Sequence, residues 1–202
     1  MNYYDITFRS VTYAQRGEAA LQRAGIPFET DSAEHFFSGD YFSRFVDTLQ
    51  ILADVDAPSV YLAGNSNLLS TAGDAMYQSD MIRLAGGRNV AAEIPDTYWA
   101  EIDYEQLLVW NPEYIILASS AKYTVADVLK DPNLMDCTAV VNGNVYQIPA
   151  DAESWDSPVP GSILGAIWLA NVLHPDQLTD TDCTAIMDTY YETFYDFTYS
   201  QK

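Results

Sequence analysis

The chain has 202 residues, of which 49% are hydrophobic, and this composition suits one globular domain of ordinary size. Acidic residues outnumber basic ones by 29 to nine, so the formal net charge is −20. Such a charge repels the phosphates of nucleic acids and of anionic membranes, so neither class of partner is expected. The first residues lack the basic and apolar regions of a secretory signal, which predicts either a cytoplasmic protein or a signal missing from this chain.

The first forty residues predict a small strand–helix–strand segment. Apolar residues alternate over 4–8, alanines recur over 14–21 at helical spacing, and Gly25 is a typical helix end. A second helix is predicted over 41–55, where apolar residues again follow the helical period. We therefore divide the chain into an N-terminal segment over 1–40, a linker helix over 41–57 and a main domain over 58–202.

Strands and helices alternate from residue 58 onward. Strands are predicted over 60–63, 89–91 and 114–117, and helices over 74–85, 104–110, 125–129, 132–135, 160–173 and 179–199. Asn142-Gly143 predicts a two-residue hairpin turn between strands over 139–141 and 144–148. This order of elements predicts an α/β fold, a three-layer sandwich around a mostly parallel sheet.

The sequence offers no set of residues that would carry out catalysis. It contains no nucleophile elbow, phosphate-binding loop or metalloprotease motif, and its two histidines, His35 and His174, lie far apart. Cys137 and Cys183 have no neighbouring histidine, which favours buried thiols over a zinc site, with a disulfide left as an alternative. We therefore expect no enzyme, no cofactor and no bare-metal site.

Aromatic residues stand at the ends of the predicted strands. Trp99, Tyr123 and Trp155 each lie just after a strand or just before a helix. In open α/β sheets that rim is where ligands bind, and aromatic rings there pack on flat or bulky ligands. The alternative is that these rings seal the rim of the core. Trp110 and Trp168 are interpreted as core residues.

An ordered series of short segments runs through the main domain. It consists of PSVYLAG at 58–64, TAG at 71–73, LAGGRNVA at 84–91, WAEI at 99–102, NPEYIIL at 111–117, VVNGNVYQIP at 140–149 and WDSP at 155–158. With this series, residues 58–175 resemble the C-terminal lobe of the substrate-binding proteins of ABC importers for iron-siderophores, haem and cobalamin.

The resemblance implies a protein outside the cytoplasm that captures a small ligand between two α/β lobes and delivers it to an ABC permease without catalysis. The positions that it implies for ligand contact are Ser70, Thr71, Gly73, Tyr77, Trp99, Tyr123 and Trp155. It also implies that Glu105 docks on the permease. An exposed glutamate in a first helical turn is equally explained by the helix dipole, so both explanations stay open.

The N-terminal part departs from this family pattern. Only 57 residues precede the main domain, too few for a second lobe, and residues 4–28 resemble instead the start of a selenium/sulfur carrier domain. The cysteine-rich motif of that carrier domain is absent. We therefore expect a fusion or a truncation that needs a separate second lobe or a homodimer. The alternative is a remnant that associates with itself and has no role in transport.

Overall fold

The computed structural model describes residues 56–94, 98–157 and 159–201. The elements predicted for the first 55 residues, including the linker helix, lie outside this part of the chain. Within the described residues, no helix is both long enough and apolar enough to cross a membrane.

A six-stranded sheet lies at the centre of the described residues. Its strands are β1 (Ser59–Ala63), β2 (Ser70–Ala72), β3 (Arg88–Asn89), β4 (Trp99–Glu101), β5 (Tyr114–Leu117) and β6 (Val145–Gln147). The order is β4-β2-β1-β5-β6, and β3 pairs with the start of β1. Strands β3, β5 and β6 pair in parallel, whereas β2 is antiparallel to both β1 and β4. The prediction of a mostly parallel sheet is confirmed.

Helices cover both faces of this sheet. One layer consists of α1 (Tyr77–Leu84), α5 (Ser162–Leu173) and α6 (Asp180–Tyr195); the other consists of α2 (Tyr104–Trp110), α3 (Val125–Leu129) and α4 (Thr138–Val141). Successive side chains of β1 alternate between the two layers: Leu62 joins the core under the first and Tyr61 the core under the second. Every residue of β1 is buried, as expected for a strand between two helical layers. The predicted three-layer α/β sandwich is confirmed.

Capping residues fix the ends of the long C-terminal helix. The predicted cap Thr179 is confirmed: its hydroxyl accepts from the backbone N–H of Asp182, whose carboxylate bonds back to Thr179. The helix ends at Tyr195 rather than at the predicted residue 199, because Asp196 adopts a left-handed conformation with φ of 64°. The chain then folds back and ends in a short 3-10 helix over Tyr199–Gln201.

The predicted hairpin at Asn142-Gly143 is wrong. Residues Thr138–Val141 form α4, and β6 pairs in parallel with β5 instead of returning against a strand over 139–141. Gly143 has a φ of 73°, and its N–H donates to the carbonyl of Val140. The positive φ that Gly supplies therefore ends a helix here rather than closing a two-residue hairpin.

Other differences concern short elements. Residues 132–135 form turns rather than the predicted helix, and the strand predicted over 89–91 ends at Asn89. The next residues, Val90–Glu93, form a 3-10 helix that the Asn89 side chain caps by accepting from the N–H of Ala91. Strands β2 and β4 were not predicted, because three residues are too few to show an alternating pattern.

Candidate functional site

Strands β1, β5 and β6 end at the same side of the sheet, which we call the carboxyl edge. Gly64, Ala118 and Ile148 are the first residues after these three strands. In open α/β sheets, ligands bind outside this edge. Four of the seven predicted ligand contacts lie in two groups of residues at this edge, which we call the Gly64 corner and the Asp156 corner.

The Gly64 corner consists of Gly64, Ser70, Trp99 and Tyr123. The N–H of Gly64 donates to the carbonyl of Ser70 at 2.7 Å, and the Tyr123 hydroxyl donates to the carbonyl of Gly64 at 2.7 Å. The Trp99 ring lies so close that a β-carbon at Gly64 would come within 3.0 Å of Trp99 Cζ3. Burial raises the pKa of Tyr123, so its hydroxyl stays a neutral donor. The structure thus brings together three of the predicted positions around one glycine.

Thr71 and Gly73 hold β2 in the sheet through their own hydrogen bonds. The Thr71 hydroxyl is buried and donates to the carbonyl of Leu62 at 2.8 Å. The N–H of Gly73 donates to the carbonyl of Tyr98 at 2.9 Å, and its carbonyl accepts from the Ser79 hydroxyl at 2.8 Å. The geometry therefore assigns both residues a structural part beneath the edge, and contact with a ligand stays a prediction.

The Asp156 corner consists of Tyr77, Gln78, Ser119 and Asp156. Both carboxylate oxygens of Asp156 accept from Ser119: Oδ2 from its N–H at 2.7 Å and Oδ1 from its hydroxyl. The Gln78 side-chain amide donates to the backbone carbonyl of Asp156 at 3.1 Å. Asp156 is only 7% exposed, so these bonds fix its position at the carboxyl edge.

Two polar atoms of the Asp156 corner have no partner. Tyr77 Oη and Gln78 Oε1 are buried, and neither makes a hydrogen bond to the described residues. Each buried polar group left unpaired costs about 1–3 kcal/mol. Burial, followed by the nearby charge of Asp156, raises the pKa of Tyr77, so the hydroxyl remains protonated at neutral pH. The corner thus presents one neutral O–H donor and one carbonyl acceptor.

Within the Asp156 corner, Tyr77 is a predicted ligand contact, whereas Gln78, Ser119 and Asp156 are not among the predicted residues. Ser119 follows the buried strand β5 by two positions, and Asp156 lies in the loop after β6. Polar residues just beyond the ends of apolar parallel strands are the signal that would have found this pair. Gln78 gave no signal, because its position in the first turn of α1 is equally typical of a solvated helix face.

Trp155 lies in the core, unlike the exposed Trp99. Its side chain is 1% exposed, and its indole N–H donates to the Tyr191 hydroxyl at 3.0 Å. Its ring also packs against Tyr199, with the ring centroids 5.6 Å apart. Trp99, by contrast, is 40% exposed. Of the two explanations left open for the aromatic residues, sealing of the core therefore fits Trp155. Trp99 is instead exposed at the edge, where contact with a ligand stays a prediction.

Glu105 is exposed in the first turn of α2. The helix begins after Asp103, whose side chain accepts from the N–H of Gln106 at 2.8 Å. A second carboxylate beside this N-terminus is stabilised by the helix dipole whether or not it binds a partner. Docking of Glu105 on a permease therefore stays a prediction.

The remaining titratable groups support neither a metal site nor a disulfide within the described part of the chain. No group of three or more His, Cys, Asp or Glu side chains that could hold a metal occurs there. Cys137 and Cys183 are buried free thiols in cores on opposite faces of the sheet, as predicted. His174 ends α5 and places Nε2 3.2 Å from the carbonyl of Gly86.

Comparison with known proteins shows which family this chain resembles. The model of the periplasmic binding protein family matches residues 19–152, which includes part of the segment before residue 58. The molybdate-binding protein MolA of Haemophilus influenzae is 31% identical over 152 residues, covering 73% of this chain but 42% of MolA. The chain thus spans less than half the length of this curated relative.

Solved structures share the fold. The molybdate-bound crystal structure of MolA aligns with a TM-score of 0.66 and 28% identity, covering 79% of this chain and 49% of MolA. A periplasmic solute-binding protein of Veillonella parvula aligns with a TM-score of 0.70 and 22% identity, covering 92% of this chain and 64% of the other. A Ni–His complex of CeuE from Helicobacter pylori aligns equally well, at 18% identity, covering 97% of this chain and 62% of CeuE. From the family match, its relative and the fold, we conclude that the chain belongs to the periplasmic binding protein family.

Proposed function

We propose that this chain is a solute-binding lobe of an ABC importer, located outside the cytoplasm. It captures a small solute at the carboxyl edge and passes it to a membrane permease without chemical change. The observation that carries this proposal is the 31% identity to MolA, a named binding protein, over 73% of the chain. The two corners of the carboxyl edge supply an exposed ring and polar groups, the features that small-molecule sites combine.

The solute class that the edge fits best is a metal complex with an organic shell, such as an iron-siderophore, haem or a corrinoid. Trp99 of the Gly64 corner is 40% exposed and the preceding residue Tyr98 is 68% exposed, and exposed rings pack on large organic surfaces. The charge favours the same class. Asp156 has no described cation as a partner, and the formal net charge of −20 opposes a small dianion.

A compact oxyanion is the second candidate. The relationship to MolA favours it, because the name of that relative states that it binds molybdate. An oxyanion accepts hydrogen bonds only, so among the described edge groups the Tyr77 hydroxyl would serve it and the Gln78 carbonyl would not.

A single lobe covers one face of a solute. Losing the apolar contact of the second face weakens binding by several kcal/mol, on the order of a thousandfold, at ~25 cal/mol per Å². We therefore propose that tight binding requires a second lobe or a homodimer, and that Glu105 contacts the permease. Micromolar or tighter binding by a monomer of this chain would contradict the first of these two points.

The experiment is a tryptophan-fluorescence titration with haem, cyanocobalamin, ferrichrome and sodium molybdate, corrected for absorption by the solutes. One of the three metal complexes should quench fluorescence saturably, and Trp99→Phe should remove most of the quenching. Trp168→Phe is the matched control. Trp168 lies in α5 and packs against the core, so the Trp168→Phe variant should retain the quenching.

The outcomes separate the candidates. Saturation by molybdate alone would replace the metal complex with the oxyanion. Flat titrations with all four solutes at millimolar concentration, together with a dimer in size-exclusion chromatography, would favour the self-associating remnant and overturn the proposal.

A further inference from the structure

Tyr77 Oη and Gln78 Oε1 are the buried side-chain polar atoms that the described residues leave without a partner. They belong to adjacent residues in the first turn of α1. Native proteins pair nearly all buried polar atoms, so two exceptions in adjacent residues call for a group that the described residues do not supply.

Hydrogen bonds hold the residues next to the Gln78 side-chain oxygen. Gln78 donates from its side-chain nitrogen to the Asp156 carbonyl at 3.1 Å, which leaves its oxygen as the free end. The Asp156 carboxylate is held by two hydrogen bonds from Ser119. Behind it, the adjacent residue Trp155 is fixed in the core by its bond to Tyr191. These bonds hold Gln78 and Asp156 in place, and because both unpaired atoms are covered in this structure, a solute group reaches them by displacing the groups above them.

The chemistry of the corner is weighted toward acceptors. Gln78 offers a carbonyl oxygen, Asp156 offers carboxylate oxygens that retain unused lone pairs, and Tyr77 offers one O–H, which also accepts. The described residues place no cation against Asp156. Each of the three residues can accept a hydrogen bond from a donor group of the solute, whereas a group that only accepts can bond to the Tyr77 O–H alone and is repelled by Asp156.

We propose that Tyr77, Gln78 and Asp156 form a specificity subsite that receives a hydrogen-bond-donating group of the solute, such as an amide N–H, a hydroxyl or a metal-bound water. The subsite rests on the proposed function and deepens it, because it selects donor-bearing metal complexes over bare oxyanions. Trp99 at the Gly64 corner supplies contact area, and the Asp156 corner supplies the selection.

The test uses Tyr77→Phe, which removes only the unpaired hydroxyl oxygen. We expect the thermal unfolding midpoint of the solute-free variant to stay the same or to rise, because no hydrogen bond is lost and a buried unpaired group is removed. Affinity for cyanocobalamin or ferrichrome, whose amide N–H groups are donors, should fall roughly tenfold, the effect of one hydrogen bond. Calorimetric titration at high protein concentration measures both affinities.

Tyr104→Phe is the matched control. Its hydroxyl donates to the Asp131 carboxylate at 2.7 Å, and neither residue belongs to a corner, so the same substitution should lower the unfolding midpoint and leave solute affinity unchanged. A second variant, Asp156→Asn, removes the negative charge. It should narrow the preference for cyanocobalamin or ferrichrome over molybdate by about tenfold or more.

A lowered unfolding midpoint in Tyr77→Phe would show that the hydroxyl is already paired, for example to an ordered water, and would overturn the subsite. Unchanged affinity in Tyr77→Phe, with a wild type that binds, would also overturn it and leave the proposed function intact. A wild type that binds molybdate alone would overturn the subsite and leave the solute-binding function intact, whereas a dimeric wild type that binds none of the four solutes would overturn both.

Discussion

The two corners of the carboxyl edge differ in how many of their polar groups are hydrogen-bonded to the described residues. In the Gly64 corner, the N–H and the carbonyl of Gly64 are both hydrogen-bonded and the Tyr123 hydroxyl is paired, while the Trp99 ring stays exposed. In the Asp156 corner, Ser119 pairs with the Asp156 carboxylate, while Tyr77 Oη and Gln78 Oε1 are left without described partners.

The difference shows two ways in which one sheet edge can contribute to binding. A paired corner with an exposed ring offers contact area of low selectivity, because an aromatic face accepts many shapes. An unpaired corner on a rigid support offers directional selection, because hydrogen bonds discriminate by geometry and by charge. We therefore expect substitutions in the core behind the Asp156 corner to lower stability, and substitution of the exposed ring in the Gly64 corner to weaken solute contact with little loss of stability.

Removing the support of the Asp156 corner should have the largest effect. Trp155→Ala deletes a ring that is 1% exposed, so we expect the free energy of unfolding to fall by about 3–5 kcal/mol. Urea unfolding followed by circular dichroism measures this. Trp155→Phe keeps most of the volume and loses the bond to Tyr191, so its loss should be clearly smaller. Equal losses in the two variants would show that packing of the ring is not what holds this corner.

Alkaline pH should weaken the same support. Burial is the main cause that raises the pKa of Tyr190 and of Tyr191. The two rings pack edge to face in α6, with their centroids 5.2 Å apart. In the unfolded chain these phenols ionise near pH ~10, so their contribution to stability is complete below that pH and is lost progressively above it.

Urea unfolding at pH 8 and at pH 11 checks this prediction, with tyrosinate absorbance showing which state has ionised. Tyr190→Phe removes one of the groups with a raised pKa and should lose less stability between the two values of pH than the wild type. A variant whose stability falls as steeply as that of the wild type would assign the alkaline loss to other groups.

The layered fold was predictable from the sequence because its signals are local. The run Val60–Ala63 is apolar without interruption, Tyr104–Trp110 has helical spacing before Pro112, and Thr179 precedes a helix with Asp182 at the third position. Each of these patterns has one favoured structure at its length. The strands and helices that they predicted are found in the structure.

Elements that depend on partners far along the chain were missed. β2 and β4 have three residues each and exist only because they pair with each other and with β1. Asn142-Gly143 supports a hairpin or a helix end equally well, and the pairing of β6 with β5 decides between them. Asp156 escaped for the same reason: its two bonds go to Ser119, 37 positions away.

Removing a helix cap should have an intermediate effect on the free energy of unfolding. A cap is available next to each corner. Thr179 begins α6, which carries the tyrosines behind the Asp156 corner, and Thr124 begins α3 directly after Tyr123 of the Gly64 corner. Each threonine forms a capping box, so Thr179→Ala and Thr124→Ala should each cost about 1 kcal/mol of stability. Urea unfolding gives both values, and the corresponding serine variants, which keep the hydroxyl, should recover most of the loss.

Trp99→Ala should have the smallest effect on stability. The ring is 40% exposed at the edge strand β4, so much of its surface gains nothing from folding, and we expect a loss of less than about 1 kcal/mol. The contrast with Trp155→Ala should therefore be about threefold or more in the free energy of unfolding, measured in the same urea series. A loss equal to that of Trp155→Ala would make Trp99 a core residue and would move its ring out of the solute contact. A small loss of stability, together with weaker binding of the metal complex, would assign the exposed Trp99 ring to solute contact, because its main contribution would then be to binding rather than to folding.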